Sequence, residues 1–265
     1  MKDSRGQIHR TRSGARAATD RKLRQVLMAA SCELLLRGLT HGKSGNVSVR
    51  RDESHFFITP TGMDYEMLAP QDMALVSLDG RWFGRHRPSS EWRFHRDIFR
   101  SRSDAGAVVH THSLSATALA CTGRGIPAFH YMVAAAGGVD IRCAPYHTFG
   151  SQELSAAALT ALEGRRACLL GNHGVIALGS DLDAALSLAG EVENLAAQYR
   201  AALALGQVKL LDEAEMTQVI EKFRTYGRPD APDADLVFAG DDPSGRRMRQ
   251  KRAASPVRSR RSRQG

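Results

Sequence analysis

Three side chains of this chain have the types and spacing to do metal chemistry. His110 and His112 lie two residues apart in Ala107-Val108-Val109-His110-Thr111-His112, a run with the composition of a β-strand. Strand side chains alternate faces with period two, so both imidazoles project from one face. That is the geometry for two ligands of one metal. His173 sits in the turn Gly171-Asn172-His173-Gly174, where glycine allows sharp bending and close approach. Three histidines with an open position match a catalytic Zn²⁺ site rather than a closed structural one. Imidazole also suits other divalent transition metals. Spacing alone leaves a chance arrangement open, because the chain holds ten histidines.

Glu91 is the acid/base candidate. It falls in Pro88-Ser89-Ser90-Glu91, which reads as a helix start. Ser89 or Ser90 is the expected cap, and Glu91 then falls in the first turn. The helix dipole stabilises a carboxylate there whether or not it does chemistry. Ser89 and Ser90 at this terminus, with the loop pairs Gly45-Asn46 and Thr61-Gly62, are small and polar enough to cradle a phosphate. Taken one at a time, each pair is explained better by ordinary turn and capping chemistry.

These residues need elements to hold them. A helix is expected from Thr19, with Leu23, Val26, Leu27, Ala30, Leu34 and Leu35 on one face and Gly38 as its stop. Strands are expected over 47–50, 56–59, 74–78, 81–83, 107–112, 167–170 and 175–178, with Asp79-Gly80 as a hairpin turn. Further helices are expected over 113–121, 129–136, from Ser180 to Leu205, and over 212–224. The pattern divides the chain into a flexible basic extension, 1–18, a folded domain, 19–227, and a linker with a disordered basic tail, 228–265.

Charge follows that division. Residues 1–24 hold eight Lys/Arg against two Asp, and residues 240–265 hold nine against two. The remaining body carries 20 basic and 24 acidic residues, so it is mildly acidic despite the net charge of +9. Arg246, Arg247, Arg249, Lys251 and Arg252 would neutralise phosphates in a salt-dependent way. No aromatic residue interleaves them as a stacking platform, so the tails support only weak nonspecific nucleic-acid binding. Cys32, Cys121, Cys143 and Cys168 have no C-x-x-C spacing and read as reduced structural thiols. No apolar run approaches the roughly 18–20 residues of a membrane span. The N-terminus lacks the apolar stretch of a secretory signal, and a soluble, cytoplasmic protein is the expectation.

Taken together, the segments resemble the class II aldolase/adducin family. The matching stretches are SGNVSVR at 44–50, ITPTGMDYEML at 58–68, PSSEWRFH at 88–95 and DAGAVVHTH at 104–112. IPAFHYMVAAAGG at 126–138, CAPYHTFG at 143–150, NHG at 172–174 and EKFRTYG at 221–227 extend the match. The resemblance implies a three-layer α/β/α sandwich around a largely antiparallel sheet, assembled as a homotetramer with sites at subunit interfaces. It implies that His110, His112, His173 and Glu91 hold Zn²⁺, with Glu91 as base once substrate displaces it. Asn46, Thr61, Gly62, Ser89 and Ser90, with Gly45 in the same loop, match the phosphate cradle. Tyr131 matches a proton donor that reaches the neighbouring subunit's site, and Phe149 and Tyr226 match residues near the aldehyde. The implied reaction cleaves a 1-phospho-2-ketose, L-fuculose 1-phosphate or similar, to dihydroxyacetone phosphate and an aldehyde such as L-lactaldehyde, through an enediolate that Zn²⁺ stabilises.

The chain departs from the family pattern at Asn172, where a further histidine is usual, at Lys43-Ser44, usually Thr-Ala, and at His147, usually a small residue. These changes leave the metal set alone and open the question of substrate. Within the family, an aldolase for another deoxypentulose phosphate and a 3-oxo-tetronate 4-phosphate decarboxylase are the alternatives. A scaffold of the adducin type has no use for the open metal site.

Overall fold

Alternating apolar positions decide which way each strand faces, and they build two cores. The computed structural model describes residues 4–224, with side chains from residue 16 onward. Tyr226 and the basic tail, 228–265, lie outside the described residues, as do the first three.

In chain order the elements are α1 (Ser4–Leu36), β1 (Asn46–Arg50), β2 (His55–Ile58), β3 (Ala74–Ser77) and β4 (Trp82–Phe83). Then come α2 (Trp92–Ser101), β5 (Ala107–Thr111), α3 (Leu114–Ala120) and a 3₁₀ turn over Tyr131–Ala136. β6 (Cys143–Ala144), α4 (Gln152–Ala161), β7 (Ala167–Leu170), β8 (Gly174–Gly179), α5 (Leu182–Leu205) and α6 (Glu213–Phe223) complete them. The eight strands form one sheet in the order β4-β3-β2-β1-β5-β8-β7-β6. Every pairing is antiparallel except β6 with β7.

Val47, Val49, Phe57, Val109, Leu169 and Val175 point to one face and pack with residues of α1, α3, α5 and α6. Phe56, Ile58, Val108, Cys168, Leu170 and Ile176 point to the other and pack with α2 and α4. The sheet is therefore buried between two helical layers, the expected α/β/α sandwich. Asp97 of α2 ties the second layer to α4, accepting hydrogen bonds from Gln152 Nε2 at 2.6 Å and Ser155 Oγ at 2.7 Å.

Several boundaries differ from expectation. Helical backbone begins at Ser4, not Thr19. The added stretch has no apolar stripe, but Arg, Gln and Ala have high intrinsic helix propensity. α4 and the two-residue β6 had no counterpart in the expected elements. Ser151 caps α4 by accepting from Leu154 N at 3.1 Å, so its start carried a readable signal. β5 ends at Thr111, leaving His112 just beyond the strand. All four cysteines are free. Among the described residues, no helix is long and apolar enough to cross a membrane.

Candidate active site

The site lies where β1, β5 and β8 meet. Pairing of β1 with β5 sets Asn46 opposite His110, and pairing of β5 with β8 sets Thr111 opposite Val175. His173 thus falls beside the end of β5. A side chain on Gly174 would overlap the Thr111 carbonyl oxygen and lie 2.9 Å from His112 Cδ2, so glycine is what lets the turn close. Gly45 has φ +81°, and a Cβ there would come within 2.7 Å of the His110 carbonyl oxygen. Both glycines serve close backbone approach at the histidine end of the sheet.

His110 and His112 face the same side, as their spacing predicts, and their Nε2 atoms lie 3.0 Å apart. The three imidazoles of His110, His112 and His173 stand edge to face, with centroids 4.8–5.0 Å apart. Glu91 closes the group. Its Oε2 is 3.1 Å from His110 Nε2 and its Oε1 is 3.2 Å from His173 Nε2. One ligand atom from each of the four residues lies within 4.8 Å of the others.

This donor set fits a divalent cation. His110 Nδ1 lies 2.8 Å from the Val175 carbonyl oxygen, which can only accept, so Nδ1 carries the proton. Nε2 is left as the atom facing the centre, the usual arrangement of a histidine ligand. Glu91 Oε1 is buried, and apart from the His173 ring nitrogen at 3.2 Å it has no polar partner. A buried carboxylate oxygen left so is costly unless something else satisfies it. Burial pushes the Glu91 carboxyl up, but the charges and contacts of His110 and His173 outweigh it and hold it well below the usual range. A bound cation acts with the same sign. Burial first, then the charges of His110 and His173, pushes His112 down to about 4. It is therefore neutral near pH 7, the form that ligates metal.

Glu91 does not fall in the first turn of the helix, and neither Ser89 nor Ser90 is its cap. Glu91 occupies the capping position before Trp92, and its side chain makes no capping bond because it turns to the histidines. Ser89 Oγ instead accepts from Glu91 N at 3.3 Å. The two candidate cradle loops are held together by backbone. Thr61 N donates to Arg87 O, and Ser89 N donates to Thr59 O, each at 3.0 Å.

Those loops and the histidines share one cavity of about 330 Å³. Gly45, Asn46, Thr61, Gly62, Ser89 and Ser90 line one part of it, and Glu91, His112 and His173 another. Phe149 lines it as well, with its carrying loop fixed by Arg93 Nη1 on Gly150 O at 2.8 Å. Tyr131 does not line this cavity; it opens the 3₁₀ turn over 131–136 and is 45% exposed. Lys43, Ser44, Tyr146 and Asn172 also line the cavity without having been singled out as site residues. Asn172 is, among the described residues, the one non-glycine with positive φ, at 53°. Tyr65, whose hydroxyl donates to Gly45 O at 2.7 Å, supports the first loop from below.

Comparison with known proteins decides the family. Residues 25–200 match the class II aldolase and adducin N-terminal domain. The chain belongs to the class II aldolase/adducin family. A 5-methylthioribulose-1-phosphate/5-deoxyribulose-1-phosphate aldolase of Rhodospirillum rubrum is 52% identical over 205 residues, covering 77% of this chain and 92% of that protein. The L-fuculose phosphate aldolase of Escherichia coli is 46% identical over 207 residues, covering 78% and 96%. An L-fuculose 1-phosphate aldolase of known structure superposes with a TM-score of 0.74 at 38% identity, covering 77% of this chain and 96% of that one. The α/β/α sandwich and its eight-stranded sheet are thus the class II aldolase fold, and the histidine–glutamate cluster is a candidate metal site on it.

Proposed function

We propose that the chain is a Zn²⁺-dependent aldolase. It cleaves a 1-phospho-2-ketose between C3 and C4 to dihydroxyacetone phosphate and a short aldehyde. The observation that carries this reading is the shared cavity, in which the carboxylate of Glu91 sits beside three convergent histidines and a wall of small polar loops.

Each part answers a requirement of the reaction. Breaking the C3–C4 bond leaves its electron pair on C3, next to the C2 carbonyl. A cation held by His110, His112, His173 and Glu91 supplies Lewis-acid stabilisation of that charge when bound. Gly45, Asn46, Thr61, Gly62, Ser89 and Ser90 bind the phosphate and so fix where C3 lies. Holding reacting atoms in place lowers barriers by up to roughly 7–11 kcal/mol in the best model systems. Glu91 then exchanges the proton at C3, and its Oε1, which faces only the His173 ring nitrogen at 3.2 Å, is the atom suited to do so. Tyr131 moves the proton at the C4 oxygen. Its exposed position outside its own chain's cavity fits a residue that serves the site of a neighbouring copy in a homotetramer.

The aldehyde end points to an apolar product. Tyr146 and Phe149 line the cavity as exposed aromatic surfaces, at 58% and 66%. Such a wall suits the methyl of a 5-deoxy sugar or a thioether. The apolar wall and the greater identity to the Rhodospirillum relative support a reading in which 5-deoxyribulose 1-phosphate and 5-methylthioribulose 1-phosphate come ahead of L-fuculose 1-phosphate. The test is enzyme-coupled detection of dihydroxyacetone phosphate from all three, with and without a chelator. Chelator-sensitive release is expected, fastest from the two pentulose phosphates. No release from any of them by a folded, zinc-loaded sample would overturn the reading, and CO₂ release from a 3-oxo acid phosphate would replace it with decarboxylation.

A further inference from the structure

A line of buried polar side chains outside the histidine cluster ends on Glu91. His95 is fully buried, and nothing in the chemistry above uses it. It follows Glu91 by four residues at the start of α2, so the two project from one side of that segment. On β1, Asn46 and Ser48 share a face by strand periodicity, and this face looks onto α2. Ser48 Oγ lies 2.6 Å from His95 Nδ1, and His95 Nε2 meets Asn46 Oδ1. Asn46 Nδ2 donates to Glu91 Oε2 at 3.0 Å.

The direction of every bond follows from one end. A carboxylate only accepts, so Asn46 turns its NH₂ to Glu91 and its carbonyl oxygen to His95. That oxygen only accepts, so His95 carries its proton on Nε2. Nδ1 is then an acceptor, and the Ser48 hydroxyl donates to it. Each group has one role consistent with all the others.

We propose that His95 is a positioning residue whose Nε2–H tautomer, supported by the Ser48 hydroxyl donating to Nδ1, locks the Asn46 amide so that its NH₂ faces Glu91. Locked this way, Asn46 engages Oε2 of Glu91 and leaves Oε1, on the His173 side, to the cation and the C3 proton. The second N–H of Asn46 stays available to the cavity that Asn46 lines. A flipped amide would set two acceptors against each other and aim an oxygen where the phosphate binds. The role of Glu91 at C3 rests on the function proposed above; the tautomer and the zinc affinity do not.

The test uses the full chain with three variants. ¹⁵N-histidine NMR of the zinc-free protein is expected to show neutral His95 protonated on Nε2, and Ser48→Ala is expected to mix that signature. Zinc affinity is read by competition with a chromogenic chelator, and proton exchange at C3 is read on dihydroxyacetone phosphate. His95→Leu is expected to weaken zinc binding by about 10-fold or more, the usual scale for residues behind metal ligands, and to slow exchange similarly. His95→Gln is expected to recover most of both, since its amide can donate to Asn46 and accept from Ser48. The proposal fails if His95→Leu binds zinc within about twofold of wild type, or if the wild-type ring is protonated on Nδ1. It also fails if His95→Gln is as impaired as His95→Leu. Should His95→Leu not fold, Ser48→Ala decides, and an unchanged tautomer with unchanged zinc affinity overturns the proposal. Absent exchange with the tautomer and zinc affinity as expected would count against the aldolase reading and not against His95.

Discussion

Two glycine-to-alanine changes should move the protein in opposite directions, although the added atom is the same. At Gly174 a methyl group would overlap the Thr111 carbonyl oxygen and sit 2.9 Å from His112 Cδ2 and 3.3 Å from His110 Cε1. The backbone oxygen is fixed in the β5–β8 ladder, where Thr111 is paired with Val175. Relief must come from separating the strands or displacing the two imidazoles. Overpacking of this kind costs about 1–3 kcal/mol, and a clash with paired backbone belongs at the upper end. At Gly190, inside α5, a Cβ meets nothing within 4 Å. There alanine removes the helix penalty of glycine and stabilises by roughly 0.5–1 kcal/mol. For a domain of this size, 1 kcal/mol moves the melting temperature by about 2–4 °C. Gly190→Ala should therefore melt about 1–4 °C higher with unchanged zinc affinity. Gly174→Ala should melt several degrees lower and bind zinc about 10-fold or more weakly, because its strain falls on two ligands. Thermal melts and chelator competition on both variants provide the check. A Gly174→Ala protein with wild-type zinc affinity would refute the claim that this close approach sets the ligand geometry.

Other outcomes follow from the same site. Glu91→Gln keeps the size of the side chain and should fold, yet lose about 10²–10⁴ in C3 proton exchange on dihydroxyacetone phosphate; near wild-type exchange would remove Glu91 as the base. Tyr131→Phe should slow cleavage of the ketose phosphate more than proton exchange, and equal losses in the two assays would deny it a role at the aldehyde oxygen. Burial, and then the charge of His110, pushes His95 down to about 3 from its ordinary 6.5. The unfolded chain therefore takes up a proton near pH 6.5 that the folded chain refuses until about pH 3. This contribution to stability is complete above pH 6.5 and falls as pH drops through that window. One such group changes stability by ~1.4 kcal/mol per pH unit, or about 2 kcal/mol by pH 5. Denaturant unfolding of the zinc-free protein at pH 7 and 5 should show a shallower loss in His95→Gln, and identical pH slopes would contradict the burial argument.

Much of the site was legible in the chain because its parts are short and local. Period two put His110 and His112 on one face without knowledge of the partner strands. Glycine beside His173 signalled a close approach, and the ordered motifs from SGNVSVR to NHG pointed to the family. Local patterns were weaker at boundaries. Helix propensity carried α1 back to Ser4 where no apolar stripe marked it. The Ser151 cap of α4 lay unread between louder signals. Tyr226 belongs to the expected pocket but lies outside the described residues.

What only the tertiary structure decided is how distant residues satisfy one another. Ser89 and Ser90 looked like caps because a local pattern cannot know that Glu91 has histidines to face. His95 looked like one more residue of an amphipathic helix, since its partners Asn46 and Ser48 arrive from a strand more than forty residues earlier. The position of Tyr131, away from the cavity of its own chain, could not be read from its motif either. Residue type and spacing determine which chemistry a segment can offer. Pairing across the sheet determines which atoms meet and which hydrogen-bond direction each must take, because a buried polar group is stable only where a partner of the opposite kind faces it.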